Sequence, residues 1–261
     1  MSERLWLADR WRPVLTRHGF DHLDAFLTTT RGRRVSWREE GLETLAVELP
    51  GETIARTIFV KRYGRYRGDW HYYYRAGRLR HEAEALRWLA THGFPAPGLI
   101  AWGDRRCGGV TTASFLTTAG LEETVTLAQY LSDGTPLGQA PIEALWRLVG
   151  RLHRAGFFHG NLYRRNILLR PTTGELFVID FPASRIGPPW PLCAYAAIRD
   201  VSGLAHDLCS ERSPDEWFAD YARGRWPDAA PGEINRRAIA VRRRVERHQA
   251  RRQRRRARRV R

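Results

Sequence analysis

The stretch HGNLYRRNILLRPTTGELFVID, residues 159–180, decides how the rest of the chain is read. It opens on a polar loop from His159 to Asn166, enters the apolar run ILL, turns at PTTG, and rises through LFVI to Asp180. Short apolar runs bounded by turn residues read as strands, so the stretch predicts a loop followed by a hairpin. Asn161 and Asn166 lie five residues apart, and Asp180 follows fourteen residues after Asn166. That spacing sets an amide, a second amide and a carboxylate on neighbouring backbone segments. Oxygen donors of this kind suit a hard cation such as magnesium.

Upstream, PIEALWRLVGRLHRAG carries Leu145, Leu148, Val149 and Leu152 at helical spacing, with Gly156 as its stop signal. TLAQYLSDG reads as a shorter helix. His153 is expected to pack at a helix end, and His159 to anchor the loop by hydrogen bonds. Before them, PAPGLIAWG and GVTTASFLTT read as two strands running into a linker near Thr118–Leu121. A helix precedes these strands, with Leu79, Ala85, Leu86 and Leu89 on one stripe and Gly93 and Pro95 as its end. Glu82 shares that stripe, while Glu84 points elsewhere. A carboxylate on a buried face needs a cation.

The cation is expected at Lys61. Of the 44 basic residues 43 are Arg, and Lys61 alone is Lys. It ends TIARTIFVK, a β-branched alternating run that reads as a strand. A compact ammonium held there can reach between two phosphates where a planar guanidinium does not fit. Three further strands, DAFLTTT, RRVSWRE and LETLAVELP, are expected between residues 24 and 50, with Gly32, Gly41 and Pro50–Gly51 as turns. Gly32 is a lone candidate for a phosphate loop and equally an ordinary hairpin glycine. Residues 3–18 predict a short helix on Leu5, Trp6, Trp11 and Leu15, interrupted at Pro13. In residues 63–80 aromatic and Arg side chains alternate, a pattern suited to clamping phosphates or to covering a sheet edge.

With 261 residues, 43% of them apolar and ten of them Trp, the chain can build a substantial core. No apolar run is long enough to span a bilayer, and MSERLWLADRWRPV lacks a secretory signal's apolar segment. Cys107, Cys193 and Cys209 show no metal or redox spacing, which suits a reducing, cytoplasmic compartment. Residues 236–261 hold fourteen Arg and one acid, Glu246, a net of +13 within a total of +16. The rest of the chain is therefore near neutral, at +3. The tail is expected to continue a helix only while docked, with a frayed or disordered end. It suits anionic lipid or nucleic acid, with a solubilising tail as the bland alternative.

LHRAGFFHGNLYRRNILL and then LFVIDF resemble the catalytic and metal-binding loops of protein-kinase-like phosphotransferases. IFVKRYGRYRG, HEAEALRWLATHGFPAPGLIAWG, SFLTT and IRDVSGLAHDL are similar to the bacterial lipopolysaccharide core kinases, which phosphorylate heptose or Kdo sugars. The resemblance covers about residues 25–215. It implies an α+β, bilobal kinase-like fold. A small antiparallel sheet plus one helix would form an N-lobe over 1–118, a mostly helical C-lobe would fill 119–235, and the Arg-rich tail would follow at 236–261. It implies ATP in the cleft, with Lys61 on its phosphates and Glu82 holding Lys61. Asn166 and Asp180 would bind Mg2+, and Asp200, opening a helix, would brace the loop. Only nineteen residues separate Asp180 from Asp200, with no A-P-E-like signal, which leaves little room for a peptide platform. A glycolipid or sugar acceptor and a place on the inner face of the cytoplasmic membrane follow. Asn161 stands where the family places a catalytic Asp. The resemblance therefore admits two outcomes: a slow kinase whose Asn161 aims the acceptor hydroxyl, or a nucleotide-binding pseudokinase scaffold. Asp69 is a conceivable substitute carboxylate.

Overall fold

The computed structural model describes residues 1–37, 41–52, 56–63, 77–188, 192–208 and 214–259. Asp69, Cys209 and most of the aromatic-Arg stretch lie outside the described residues. The chain divides into two compact units, Met1–Glu122 and Glu123–Arg261.

Unit 1 begins with β1 (Ser2–Leu7), the helices α1 (Arg12–Arg17) and α2 (Leu23–Thr28), and the strands β2 (Arg33–Trp37), β3 (Leu42–Glu48) and β4 (Thr57–Tyr63). The helix α3 (Arg78–Thr91) and the strands β5 (Leu99–Cys107) and β6 (Val110–Ala119) complete it. The six strands form one antiparallel sheet in the order β1-β5-β6-β4-β3-β2. Helix α3 packs on β5 and β6 through Leu79, Ala83, Ala85, Leu86 and Leu89.

Two expectations for this unit are corrected. Residues 2–7 form a strand rather than the start of a helix, because β1 hydrogen-bonds to β5 from Ser2 opposite Arg106 to Leu7 opposite Ala101. Pro13 then starts α1 instead of interrupting it, since the first helical turn needs no proline N–H. DAFLTTT is not a strand. Leu23, Phe26 and Leu27 recur at i, i+3 and i+4 and bury one face of α2. Phe26 lies stacked on Phe115 of β6 with ring centroids 4.1 Å apart. Gly32 has φ +96°, and a Cβ there would meet the Ala46 carbonyl oxygen at 2.4 Å, so close strand approach accounts for this glycine.

Unit 2 contains β7 (Val125–Thr126), α4 (Leu127–Ser132), α5 (Gln139–Arg154), β8 (Phe157–Phe158), β9 (Ile167–Arg170), β10 (Glu175–Val178) and β11 (Arg185–Ile186). Three helices close it: α6 (Leu192–Asp207), α7 (Pro214–Arg225) and α8 (Pro231–Arg259). Thr126 and Gln129 form a reciprocal capping box at the start of α4. Helices α5 and α7 cross closely at glycines, where a Cβ on Gly150 would meet the Tyr221 carbonyl oxygen at 2.3 Å. Trp146 and Trp217 stack beside that crossing, 5.9 Å apart.

The Arg-rich segment continues a docked helix, as expected of its first part. Its helix starts at Pro231, runs through residue 236 without a break, and reaches Arg259. Ile234, Ala238, Val241 and Val245 recur every three or four residues and are buried, which docks α8 along α6 and α7. Past that stripe Arg, a good helix former, propagates the helix.

Candidate active site

In unit 1 the site residues lie on a middle strand of the sheet and on the helix α3. Lys61 is on β4, facing Thr44 of β3 and Leu116 of β6 in register. Its Nζ donates to Oε2 and Oε1 of Glu82 at 2.8 and 3.1 Å. The side chains are 17% and 6% exposed. Glu84, two residues on, is half exposed and bonds Arg80 instead. A pair this buried gains little net stability over apolar neighbours, because desolvation of both charges offsets their attraction. Its effect is to fix where the ammonium stands.

In unit 2 the loop from His159 to Asn166 is held by a carboxylate beneath it. Asp200 is 1% exposed. Its two oxygens accept the His159 N–H at 2.7 Å and the Gly160 N–H at 2.8 Å. Asp200 lies inside α6 rather than opening a helix, which corrects the expectation of its place. Asp207, two turns on, accepts the Arg164 N–H at 3.2 Å, so one helix holds both ends of the loop. Arg199 donates to the Gly160 carbonyl. Gly160 has φ +75°, and a Cβ there would strike the Ala183 carbonyl oxygen at 2.1 Å, so only glycine passes.

Two histidines complete the support. His159 Nε2–H donates to the Ile179 carbonyl at 3.0 Å, tying the loop to the residue before Asp180. Burial lowers the pKa of His159, against the pull of Asp200, and the ring is neutral. His153 lies between the Tyr221 hydroxyl (2.9 Å) and Asp200 (3.4 Å), stacked on Phe158. Burial lowers its pKa also, with Asp200 opposing. Both rings are structural, and neither is placed as a base.

The remaining contacts join the three candidate residues of this unit. Asn166 Nδ2 donates to the Asn161 carbonyl at 2.7 Å, and the Asn166 carbonyl accepts the Ile179 N–H at 3.0 Å. Asn161 Nδ2 donates to Asp180 Oδ2 at 3.3 Å. Asp180 has φ +65°, a left-handed conformation uncommon outside Gly, Asn and Asp. Asn161, Asn166 and Asp180 therefore form one hydrogen-bonded group, and Lys61 with Glu82 forms another in unit 1. The sequence missed Arg199 and Asp207. The seven-residue spacing of Asp200 and Asp207 on one helix face was the available signal.

The donor set of the unit 2 group fits a magnesium ion. Asn166 commits its amide nitrogen to backbone, leaving its oxygen as the ligand atom, and Asp180 supplies a carboxylate. Magnesium takes one or two protein oxygens and completes its shell with water and phosphate. Among the described residues no three His, Cys, Asp or Glu side chains gather as a metal cluster, so no closed protein cage is offered.

The sequence profile of the lipopolysaccharide kinase (Kdo/WaaP) family matches residues 27–187, more than half of the chain. The chain belongs to this family. Lipopolysaccharide core heptose(I) kinase WaaP of Pseudomonas aeruginosa is 33% identical over 113 residues, covering 39% of this chain and 42% of that protein. The chain thus spans less than half the length of that relative in the matched part. Among solved structures, WaaP in complex with acyl carrier protein superposes with a TM-score of 0.67 at 24% identity, covering 94% of this chain and 97% of that one. The bifunctional kinase-methyltransferase WbdD gives 0.51 at 16% identity over 79% of this chain and 42% of that one. These two show the fold: α+β, kinase-like, as the loop motifs implied. Among the described residues no helix is long and apolar enough to cross a membrane.

Proposed function

We propose that this member of the lipopolysaccharide kinase family transfers the terminal phosphoryl group of ATP to a sugar hydroxyl of a lipopolysaccharide core or related glycolipid. The observation that carries the reading is the hydrogen-bonded group of Asn161, Asn166 and Asp180, set on a loop that Asp200 holds from below. In this reading Lys61 neutralises the nucleotide phosphates and Glu82 keeps its ammonium in place. Asn166 and Asp180 hold Mg2+, which supplies charge neutralisation when bound. Asn161 accepts a hydrogen bond from the acceptor hydroxyl through its amide oxygen and aims it. The transition state of phosphoryl transfer is loose, and positioning with electrostatics does most of the catalysis, so an amide can serve.

A second reading rests on the same contact. The Asn161 amide donates to Asp180, and an amide takes no proton. A nucleotide-binding pseudokinase would keep every other feature. Magnesium-ATP turnover on lipopolysaccharide core acceptors, with the parent and Asn161→Asp side by side, separates the two. A general base contributes about 10²–10⁴ in rate, so Asn161→Asp is expected to raise a measurable parent rate by up to that factor. Turnover absent from both, with ATP still raising the melting temperature, leaves the pseudokinase. No ATP-dependent shift at all defeats both readings. The variant also sets two carboxylates about where one hydrogen bond now lies. It should therefore melt below the parent without Mg2+ and recover when Mg2+ is added.

A further inference from the structure

Away from the loop, helices α6 and α8 enclose a groove of about 340 Å³ lined by Ala194, Tyr195 and Ile198 on one side and Arg244, Arg247, His248 and Arg251 on the other. All of it lies within unit 2. The three arginines stand at i, i+3 and i+7 of α8, so they share one face over two turns. Among the described residues no carboxylate lines the groove. Glu246, the one acid in residues 236–261, is engaged with Arg242 on another face. Among the described residues, Arg244, Arg247 and Arg251 meet no acid. Three guanidinium groups on one face repel one another, and an anion seated among them removes that repulsion.

The opposite wall is not polar. Ala194, Tyr195 and Ile198 present an apolar floor. Tyr195 is 61% exposed, with its ring edge against His248 at 5.6 Å. A large ring left that open beside a basic wall matches the boundary of a bilayer, where aromatic side chains sit with one end apolar and the other wet. A site for a free anion has no use for such a floor.

We propose that this groove seats the phosphate headgroup of a membrane lipid, with Arg244, Arg247 and Arg251 on the phosphate and Tyr195 against the first acyl carbons. This narrows a general attraction of the Arg-rich helix to one built position. It stands apart from phosphotransfer, since it uses no residue of the loop.

The test is co-sedimentation of the full chain with phosphatidylcholine vesicles containing phosphatidic acid, at two salt concentrations. The triple variant Arg244→Gln, Arg247→Gln, Arg251→Gln is compared with a charge-matched triple at exposed positions of the same helix, Arg236→Gln, Arg243→Gln, Arg254→Gln. Each basic side chain near an anionic surface contributes roughly 1 kcal/mol, so the groove triple should weaken binding by about 100-fold. The charge-matched triple should weaken it at least tenfold less. Tyr195→Ala, at an exposed position that leaves folding intact, should weaken binding to vesicles without changing the salt dependence. Equal losses from the two triples would leave a merely polybasic helix and overturn the groove. Inorganic phosphate or a random oligonucleotide bound with the same dependence on the three arginines, and no vesicle binding, would overturn the lipid assignment. Parent binding that is absent from all vesicles would sink the membrane reading altogether.

Discussion

Each unit buries one decisive carboxylate, and the two are satisfied by opposite means. Glu82 in unit 1 is answered by a side-chain charge, the Lys61 ammonium, across a strand-helix contact. Asp200 in unit 2 is answered by backbone, two consecutive N–H groups of the loop it supports. The first arrangement places a cation. The second fixes a chain path. A side-chain pair can be removed as a pair without altering the backbone, whereas a carboxylate that caps a loop leaves orphan donors whatever replaces it.

The largest effect should follow from breaking the second arrangement. Asp200→Ala leaves two buried N–H groups without acceptors, and each hydrogen bond to a charged group contributes about 1.5–3 kcal/mol, so a loss of roughly 3–6 kcal/mol is expected. Asp200→Asn keeps one acceptor and should lose about half as much. Urea unfolding monitored by the unit 2 tryptophans measures it. A loss under 1 kcal/mol for Asp200→Ala would mean that the loop holds its path unaided.

Next in size is the Lys61–Glu82 pair. Lys61→Met takes from buried Glu82 the ammonium that bonds both of its oxygens and should destabilise by about 3 kcal/mol, near the lower end for a broken buried pair. The double variant Lys61→Met, Glu82→Met should return to within about 1 kcal/mol of the parent, since an apolar pair of similar volume often replaces an ion pair without loss. It should not recover stabilisation by ATP. A double variant as unstable as the single would erase the contrast between the two carboxylates. One still stabilised by ATP as the parent is would remove Lys61 from nucleotide binding.

How far these arrangements could be read in advance followed from how local they are. The position of Glu82 on the buried stripe of α3 was legible from 3.6-residue spacing, and Lys61 stood out as the single Lys in a chain of Arg. The hairpin of β9 and β10 was legible because both runs are short, apolar and bounded by turn residues. Strand β1 was not. It is an edge strand with only Leu7 fully buried, its apolar residues fall together as LWL rather than alternating, and its partner β5 lies about a hundred residues away. Helix α2 has six residues, too few for a period to emerge, and its threonines carry a strand signal that burial of Phe26 against Phe115 overrides. The helical state of the tail turned on Ile234, Ala238, Val241 and Val245, a stripe easily lost among fourteen arginines. Asp200 was legible as a brace but not as a mid-helix residue, because the bracing acts through space.

The smallest effect is a difference in how the two units respond to acid. In unit 2, His153 and His159 are held neutral by burial, with pKa values below the ordinary range. Tyr221, which faces His153, is pushed up to about 12 by burial and stays protonated throughout. The unfolded chain takes up protons on these histidines near pH 6.5, and the folded unit does so only at lower pH. Between those values the unfolded state binds more protons, so stability is full above about pH 6.5 and falls as the pH drops below it, by up to about 1.4 kcal/mol per pH unit for each ring. Unit 1 answers differently. Burial acts to raise the pKa of Asp104, but hydrogen bonds from Arg4 and Arg106 prevail and hold it low. Glu43 behaves likewise under Arg62 and Arg34. Their contribution is present above the ordinary carboxylate range, near pH 4, and fades only as the pH falls through their lowered values. Hydrogen exchange followed by unit between pH 7.5 and 5 should therefore show protection falling in α5 and β8 while β5 and β6 hold. Equal losses in both units would mean that the acid response does not originate in the buried rings of unit 2, and that it does not distinguish a backbone-capping carboxylate's surroundings from those of an ion pair.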